Sequence, residues 1–516
     1  MHDRPRLSRE VVALLAFSGR TDVEVPPAEV LELRERVVQF GTGAFLRGFV
    51  EYFVDEANRA GVFDGSIVAV SSTGSSRDVM LNEQDGLFTL AIQGIDDGIA
   101  RRRHRIVASL SRAISARDQW DAVLAVARDP DLELVFSNTT EVGITLDQSD
   151  ELNAHPPKSF PGKLTRFLFE RATAFDYDVS RGVVVLPCEL IEDNGDALRA
   201  IVHQLARRWN LDARFGAWLT EAVQFCNTLV DRIVPGAPPR EEAQRCEELF
   251  GYRDGLLTAC ETYALFAIEG DERVRQRIRI ADADSRIIVT PDIRPYRERK
   301  VRILNGAHTI SVPLALLAGL ATVREAVEHE RVGAFMRRAV LEEIVPSIDV
   351  PDAEVFARDV LTRFANPYIQ HALIDITLYG TTKMRVRIVP SILAYGERFG
   401  RAPAALAFGF AAYLAFMRGE LQAERRAAGL PVPEDGEGER IRAEWRTVDP
   451  QVDDDIVSFV ERVCGDEALW NADLTVVPGF TSLVAEHLIR IVRGGGSGRA
   501  IAALDAFLSE PAITQS

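Results

Sequence analysis

The sequence predicts an α/β fold for the N-terminal part of the chain and a mostly α-helical C-terminal part, divided near residue 292. Three features carry that reading. Val37-Val38-Gln39-Phe40 is a short apolar strand that runs into Gly41-Thr42-Gly43, and helical periodicity follows through Tyr52 and Ala57. Short apolar strands at residues 67–70, 132–136, 183–186 and 287–289 alternate with helical spacing. From Pro295 onward long apolar helical periods replace the strand signals. The expected domains are therefore residues 1–291 and 292–516.

At 516 residues and 47% hydrophobic content, the chain can hold two or three domains with large cores. A formal charge of −17, with no basic run over a whole domain, argues against nucleic acid or an anionic membrane as the main partner. An anionic substrate must then meet local arginines. Five scattered cysteines, Cys188, Cys226, Cys246, Cys260 and Cys464, include no CxxC pair and fit a reducing cytoplasm. The apolar run at 11–17 is short for a signal peptide and reads as a surface helix. Residues 311–322 and 404–417 fall short of the roughly 20 that a membrane span needs and read as buried helices.

Taken in order, glycines 41 and 43 allow a tight turn and a close backbone approach to a pyrophosphate at a helix start. Position 46, where the full fingerprint has a third glycine, is Leu46, and a tight turn with no ligand also accounts for the first two. The strand at 67–70 ends in Ser71-Ser72-Thr73-Gly74-Ser75-Ser76-Arg77, with no acid for a ribose 2′-hydroxyl. Small hydroxyl side chains with Arg77 tolerate a 2′-phosphate, so this element leaves NAD and NADP open. Residues 82–88 read as a turn into a strand pair at 89–93 and 105–110, and 120–127 as a helix.

The strand at 132–136 ends in Ser137-Asn138-Thr139-Thr140-Glu141-Val142-Gly143. Small polar residues there either hold a ligand, as doubly wound sheets do at their strand ends, or form an ordinary βα loop. Lys163 opens a helix and reads as structural. After the strand at 183–186 come Pro187-Cys188-Glu189-Leu190-Ile191, helices at 197–209 and 215–225, and the segment 227–235. Within that segment Asp231 and Arg232 either pair with neighbours or serve a site.

Arg299-Lys300-Val301-Arg302-Ile303-Leu304-Asn305-Gly306-Ala307-His308 holds the densest chemistry. Wound as an α-helix it places Lys300, Asn305 and His308 within about 140° of one another, so all three can face one cleft. Lysine exchanges a proton, asparagine donates to a carbonyl or oxyanion, and imidazole holds a hydroxyl, which suits carbonyl and alcohol chemistry. A merely solvated polar face has the same spacing. Only four lysines occur in the chain, Lys158, Lys163, Lys300 and Lys383, although Lys plus Arg total 60. Arginine keeps its proton, so a site that needs a cation able to release one retains lysine. Lys383-Met384-Arg385-Val386-Arg387 brings at least two cations together whether it is strand or helix. Such a pair suits a buried carboxylate, or else serves surface glutamates. Residues 429–439 read as an exposed Pro/Gly/Glu-rich loop, and 494–498 as a flexible turn before the last helix.

Together, Gly41-x-Gly43-x-Phe45-x-Arg47, Ser137-Asn138-Thr139-Thr140-Glu141-x-Gly143, Val230-Asp231-Arg232-Ile233 and Lys300-x4-Asn305-x2-His308 resemble the mannitol dehydrogenase family of polyol-specific long-chain dehydrogenases. Pro187-Cys188-Glu189-Leu190-Ile191-x2-Asn194-Gly195-Asp196, Tyr296-x-Glu298-Arg299-Lys300 and Thr382-Lys383-x-Arg385-x-Arg387-Ile388 resemble its hexuronate-acting branch. The resemblance implies a Rossmann-type N-terminal domain, a helical substrate domain and metal-independent hydride exchange between NAD and a small hexuronate. It implies cofactor contacts at Gly41, Gly43, Phe45, Ser137, Asn138, Thr139 and Glu141. Lys300 becomes the acid/base, Asn305 the oxyanion donor and His308 a substrate-positioning group, with Asp231, Arg232, Lys383, Arg385 and Arg387 as substrate-binding residues. One departure stands out: mannitol-type members have a second oxyanion asparagine where this chain has Leu190, and Asn194 is the possible substitute.

Competing patterns are weaker. Tyr296-x3-Lys300 also matches the short-chain dehydrogenase pair, but it lies past the expected domain boundary. A zinc alcohol dehydrogenase needs clustered Cys and His ligands, and the eight histidines and five cysteines lack that spacing. A non-catalytic nucleotide sensor would keep the glycine turn without needing Lys300, Asn305 and His308 together. Another polyol or hexuronate dehydrogenase of the same family remains the alternative activity.

Overall fold

A computed structural model of the chain describes residues 4–72, 76–96, 98–139, 143–494 and 499–509. The chain divides into two compact units, Met1–Ile293 and Arg294–Ser516.

The first unit is built on a six-stranded sheet of β1 (Glu35–Phe40), β2 (Ser66–Ser71), β5 (Leu110–Ser115), β6 (Leu134–Ser137), β7 (Val184–Pro187) and β8 (Gln224–Phe225). Their spatial order is β5-β2-β1-β6-β7-β8, and every pairing is parallel. Numbered within this sheet alone, that is the 3-2-1-4-5-6 order of a dinucleotide-binding doubly wound fold, with its switch point between β1 and β6. Side-chain alternation decides which residues face which layer. Val37, Ile67 and Ala69 join the apolar cluster on one side of the sheet, and Val38, Phe40, Val68 and Val70 the cluster on the other. Both faces are covered, so the strands read as continuous apolar runs.

Two smaller sheets complete the unit. β3 (Phe88–Asp96) and β4 (Ile99–Val107) form an antiparallel hairpin, extended by β10 (Thr258–Glu261) parallel to β3. β9 (Thr228–Asp231), β11 (Leu265–Glu269) and β12 (Ile287–Thr290) form the other, with β11 central. The hairpin corrects the expected pair at 89–93 and 105–110. β4 begins six residues earlier, with Arg101, Arg102 and Arg103 exposed on the sheet edge, where charge discourages further pairing. Leu110 instead opens a strand of the main sheet. Similarly, the second helix expected at 215–225 stops at Glu221, and Gln224–Phe225 pairs with β7.

The regular elements of the second unit's described residues are all helices, apart from an isolated bridge between Thr322 and Ala372. Its centre is the Gly306–Leu317 helix, buried on all sides up to Leu316 and packed against the Ala404–Met417 helix. Gly409 makes that crossing close: a Cβ there would lie 2.5 Å from Ile310 and 3.0 Å from Phe335. Glu343 accepts from the Ala405 and Leu406 amides, both at 2.8 Å, and so caps the N-terminus of the Ala404–Met417 helix inside the core. Among the described residues no single helix is long and apolar enough to cross a membrane.

Candidate functional site

At the switch point of the sheet, β1 ends in the glycine turn. Gly41 has φ +129°, a conformation that L side chains rarely adopt, and donates its amide to Val70 O at 2.8 Å. A Cβ on Gly41 would meet Leu46 at 2.8 Å and the Asn138 carbonyl at 2.9 Å, whereas one on Gly43 would meet nothing within 4 Å. The turn therefore packs tightly on its inner side and leaves open backbone at Gly43. Arg47 fixes it from behind by donating to Thr42 O and Thr258 Oγ1, each at 3.0 Å, and its burial pushes its pKa below the usual range. Phe45 stacks on Phe49 with ring centroids 5.0 Å apart.

The loop after β6 lies beside this turn, because the Asn138 amide donates to Phe40 O at 3.1 Å. Its organiser is Glu189, a residue outside the expected contacts. Oε1 accepts from the Thr139 amide at 2.9 Å and from Thr139 Oγ1 at 3.0 Å, while Oε2 accepts from Ser137 Oγ at 3.0 Å. Burial raises the carboxyl pKa against these donors. Asn138 Nδ2 donates to Cys188 O at 2.8 Å. The acid directly following Cys188 at a strand end was the available signal for Glu189. Glu141 lies outside the described residues.

Two candidates in this unit are engaged by the fold. Arg232 donates to Glu261 O at 2.9 and 2.8 Å and to Gly48 O at 2.7 Å, and its guanidinium sits 4.4 Å from the centroid of the Tyr52 ring. It is buried among carbonyl acceptors rather than presented to a carboxylate. Asn194 is equally committed: Nδ2 donates to Pro187 O and Glu189 O at 3.0 Å, and Oδ1 accepts from the Gly195 and Thr228 amides at 2.9 Å. It holds β7, β9 and the turn together and has no amide group left for an oxyanion. Leu190 is 65% exposed, and Asp231 ends β9 in a buried position.

In the second unit, Lys300–Asn305 is not α-helical but a π-helical stretch between the Arg294–Arg299 and Gly306–Leu317 helices. This corrects the α-helical spacing. A π turn closes i to i+5, so Lys300 and Asn305, five apart, lie nearly one above the other instead of spread around the helix. Both remain partly exposed, while Arg302, Ile303 and Leu304 are buried.

His308 follows one turn later and is 8% exposed. Its ring stacks on Phe364 at 4.1 Å between centroids and meets His371 edge-on at 5.4 Å. Burial, then the neighbouring His371, Arg387, Arg363 and Lys383, push its pKa well below the ordinary imidazole value. The ring is thus neutral, and its buried Nε2 meets no hydrogen-bond partner among the described residues.

The cations of the Gly380–Arg387 helix separate into different roles. Lys383 Nζ donates to Ile376 O at 2.9 Å. Arg385 pairs with Glu437 at 2.7 Å and donates to Leu469 O at 3.1 Å, so the acidic 429–439 loop holds it. Arg387 donates from Nη1 to Thr309 Oγ1 at 3.2 Å and has no carboxylate partner among the described residues. Desolvation pulls its pKa down to about 10. Lys383 and Thr309 also line a cavity of about 330 Å³, with Thr377, Tyr413, Gln422 and Arg442 among the other walls.

The sequence matches the mannitol dehydrogenase Rossmann domain over residues 35–282 and the mannitol dehydrogenase C-terminal domain over residues 292–492. Among curated relatives, altronate oxidoreductase of Yersinia enterocolitica is 42% identical over 89% of this chain and 95% of that one. The Pectobacterium atrosepticum enzyme of the same name is 44% identical with the same coverage, and that of Bacillus subtilis 42% over 89% and 92%. Among solved structures, mannitol 2-dehydrogenase of Pseudomonas fluorescens, in a ternary complex with NAD and D-mannitol, aligns with a TM-score of 0.69 at 22% identity over 98% of this chain and 100% of that one. A substrate-free D-sorbitol dehydrogenase aligns at 0.75 and 22%, over 96% and 100%. With both parts matched in order and relatives above 40% identity along most of its length, the chain belongs to the mannitol dehydrogenase family.

Proposed function

We propose that this protein is an NAD-dependent oxidoreductase that interconverts D-tagaturonate and D-altronate by metal-independent hydride transfer. The altronate oxidoreductase relatives support the substrate class, and Arg387, a partly buried guanidinium with no carboxylate partner among the described residues, is the observation that carries it. A desolvated cation with a hydroxyl for its hydrogen-bond acceptor and no carboxylate partner among the described residues is poised for an anion, which a hexuronate supplies and a neutral polyol does not. Residues 1–291 serve as the dinucleotide-binding domain and 292–516 as the substrate-binding and catalytic domain.

The residues at the switch point fit a dinucleotide. Gly41 gives the turn its left-handed conformation, Gly43 leaves room for a phosphate against the backbone, and Ser137, Asn138 and Thr139 border the turn in an arrangement set by Glu189. Phe45 of the glycine turn, and Glu141 of the motif that begins at Ser137, complete the proposed contacts. When bound, the nicotinamide cofactor supplies or accepts the hydride.

Lys300 donates a proton to the ketone oxygen as the alcohol forms and removes it in the reverse direction. Asn305, stacked over Lys300 by the π turn, donates a hydrogen bond to the same oxygen as charge develops there. Neutral His308 offers Nε2 to a substrate hydroxyl. Asp231 is proposed to help position the substrate, and Lys383 and Arg387 to hold the carboxylate. Arg232 and Arg385, engaged elsewhere, are left out of that role.

Purified protein assayed with tagaturonate, fructuronate and fructose, each with NADH and NADPH, tests the reading. The expected result is the highest kcat/KM for tagaturonate with NADH. A higher value for fructuronate or fructose would move the substrate assignment within the family, and a preference for NADPH would overturn the cofactor assignment.

A further inference from the structure

Arg302 stands at the middle of the π stretch, two residues beyond Lys300 and so roughly half a turn around from it. It is 8% exposed and joins three elements. Nε donates to Ser391 Oγ at 2.7 Å, Nη2 to Ser347 Oγ at 3.3 Å, and Nη1 to Glu298 at 3.2 Å. Ser391 is fully buried in the first turn of the Val389–Phe399 helix. Ser347 ends the 3₁₀ turn Val345–Ser347 and is itself held by donating to Ile344 O at 2.7 Å. That turn follows a second π-helical stretch, Arg338–Ile344.

π-Helical turns are uncommon, and an unfavourable backbone conformation persists only where surrounding contacts over-determine it. The buried guanidinium supplies such contacts. Its planar fork reaches two hydroxyls on separate elements at once, which a lysine ammonium at the end of a flexible stem does less well. Its one carboxylate partner among the described residues, Glu298, is on the exposed side, so the buried bonds to Ser391 and Ser347 fix direction rather than charge balance.

We propose that Arg302 is a positioning residue for the reaction: through Ser391 and Ser347 it holds the π register that stacks Lys300 over Asn305. It touches no substrate. The inference rests on the reading of Lys300 as acid/base. Relaxation of the stretch to an α-helix would turn Asn305 away from Lys300 by the difference between the two periods.

The test compares Ser391→Ala, Ser347→Ala, their double variant and Arg302→Lys with wild type. The measurements are kcat, KM for tagaturonate and for NADH, the isotope effect with NADH deuterated at the transferred position, and Tm. Ser391→Ala is expected to lower kcat by about tenfold, part of the roughly hundredfold that a misplacement of about 1 Å can cost. Both KM values should stay within about twofold, and the isotope effect on kcat should rise. The double variant should lose more, and Arg302→Lys should fall between it and wild type. Arg302→Met, which takes the Nε donor from the fully buried Ser391 hydroxyl, is not needed for the decision. Wild-type kcat in the serine variants and in Arg302→Lys, with only Tm lowered, would overturn the proposal, as would a loss carried by KM alone. Lys300→Met, run in parallel, separates the two levels: if it retains turnover, the acid/base reading fails, and if it alone loses turnover, only the positioning role fails.

Discussion

Arg387 donates to Thr309 Oγ1 at 3.2 Å, and that hydroxyl in turn donates to Asn305 O at 2.8 Å at the end of the π stretch. The proposed carboxylate-binding cation is therefore connected through one threonine to the backbone of the proposed oxyanion donor. Two positions earlier, Arg385 is taken by Glu437. Replacing Arg387 with Met should raise KM for tagaturonate about tenfold or more, the scale of a lost charge-assisted hydrogen bond, with little change for fructose. Arg385→Met should leave the ratio of the two substrates unchanged. Steady-state kinetics on both variants check this, and equal losses on charged and neutral substrates in Arg387→Met would place the carboxylate elsewhere.

His308 supplies a prediction about pH. Its folded-state pKa lies below the ordinary value, so its neutral form is the one the fold favours. The associated stability is present above the unfolded imidazole pKa of about 6.5 and is lost as pH falls through the depressed value. The kcat profile should therefore carry no limb near the ordinary imidazole range that disappears in His308→Gln. A wild-type limb there, absent from the variant, would show a ring that is protonated in the working enzyme.

Glu343 behaves in the opposite sense. Burial raises its carboxyl to about 7 despite the two amides that donate to it. The unfolded chain releases this proton near the ordinary glutamate pKa of about 4.3, so stability from this group is complete below that value and is lost as pH rises toward 7. Glu343→Gln should remove that part of the pH dependence. Its Tm should gain on wild type between about pH 5 and pH 7.5. Parallel Tm–pH curves for the two proteins would contradict the assignment.

Much of the architecture was legible because it depends on local patterns. The apolar runs at Val37–Phe40 and Ile67–Val70, the glycines that follow Phe40 and the helical periods after Pro295 each follow from side-chain spacing and backbone sterics. The π stretch was not legible, because its residues would satisfy an α-helix equally well and the extra turn length is imposed by contacts such as that of Arg302 with Ser391, 89 residues away. Distance along the chain also hid the fates of the cations. Arg232 meets Gly48 and Arg385 meets Glu437, 184 and 52 residues apart, and no local spacing reports either contact. Asn194 read as a spare amide until β7 and β9 closed around it. Small strands such as Gln224–Phe225 are too short to carry a period of their own.

The acid/base role of Lys300 is the centre of this account, and Lys300→Met measured by pre-steady-state mixing with NADH and tagaturonate tests it most directly. The variant's NADH affinity, read by nucleotide fluorescence, should stay close to that of wild type while the hydride-transfer rate falls by about a hundredfold or more. Hydride transfer at nearly the wild-type rate in the folded variant would contradict it.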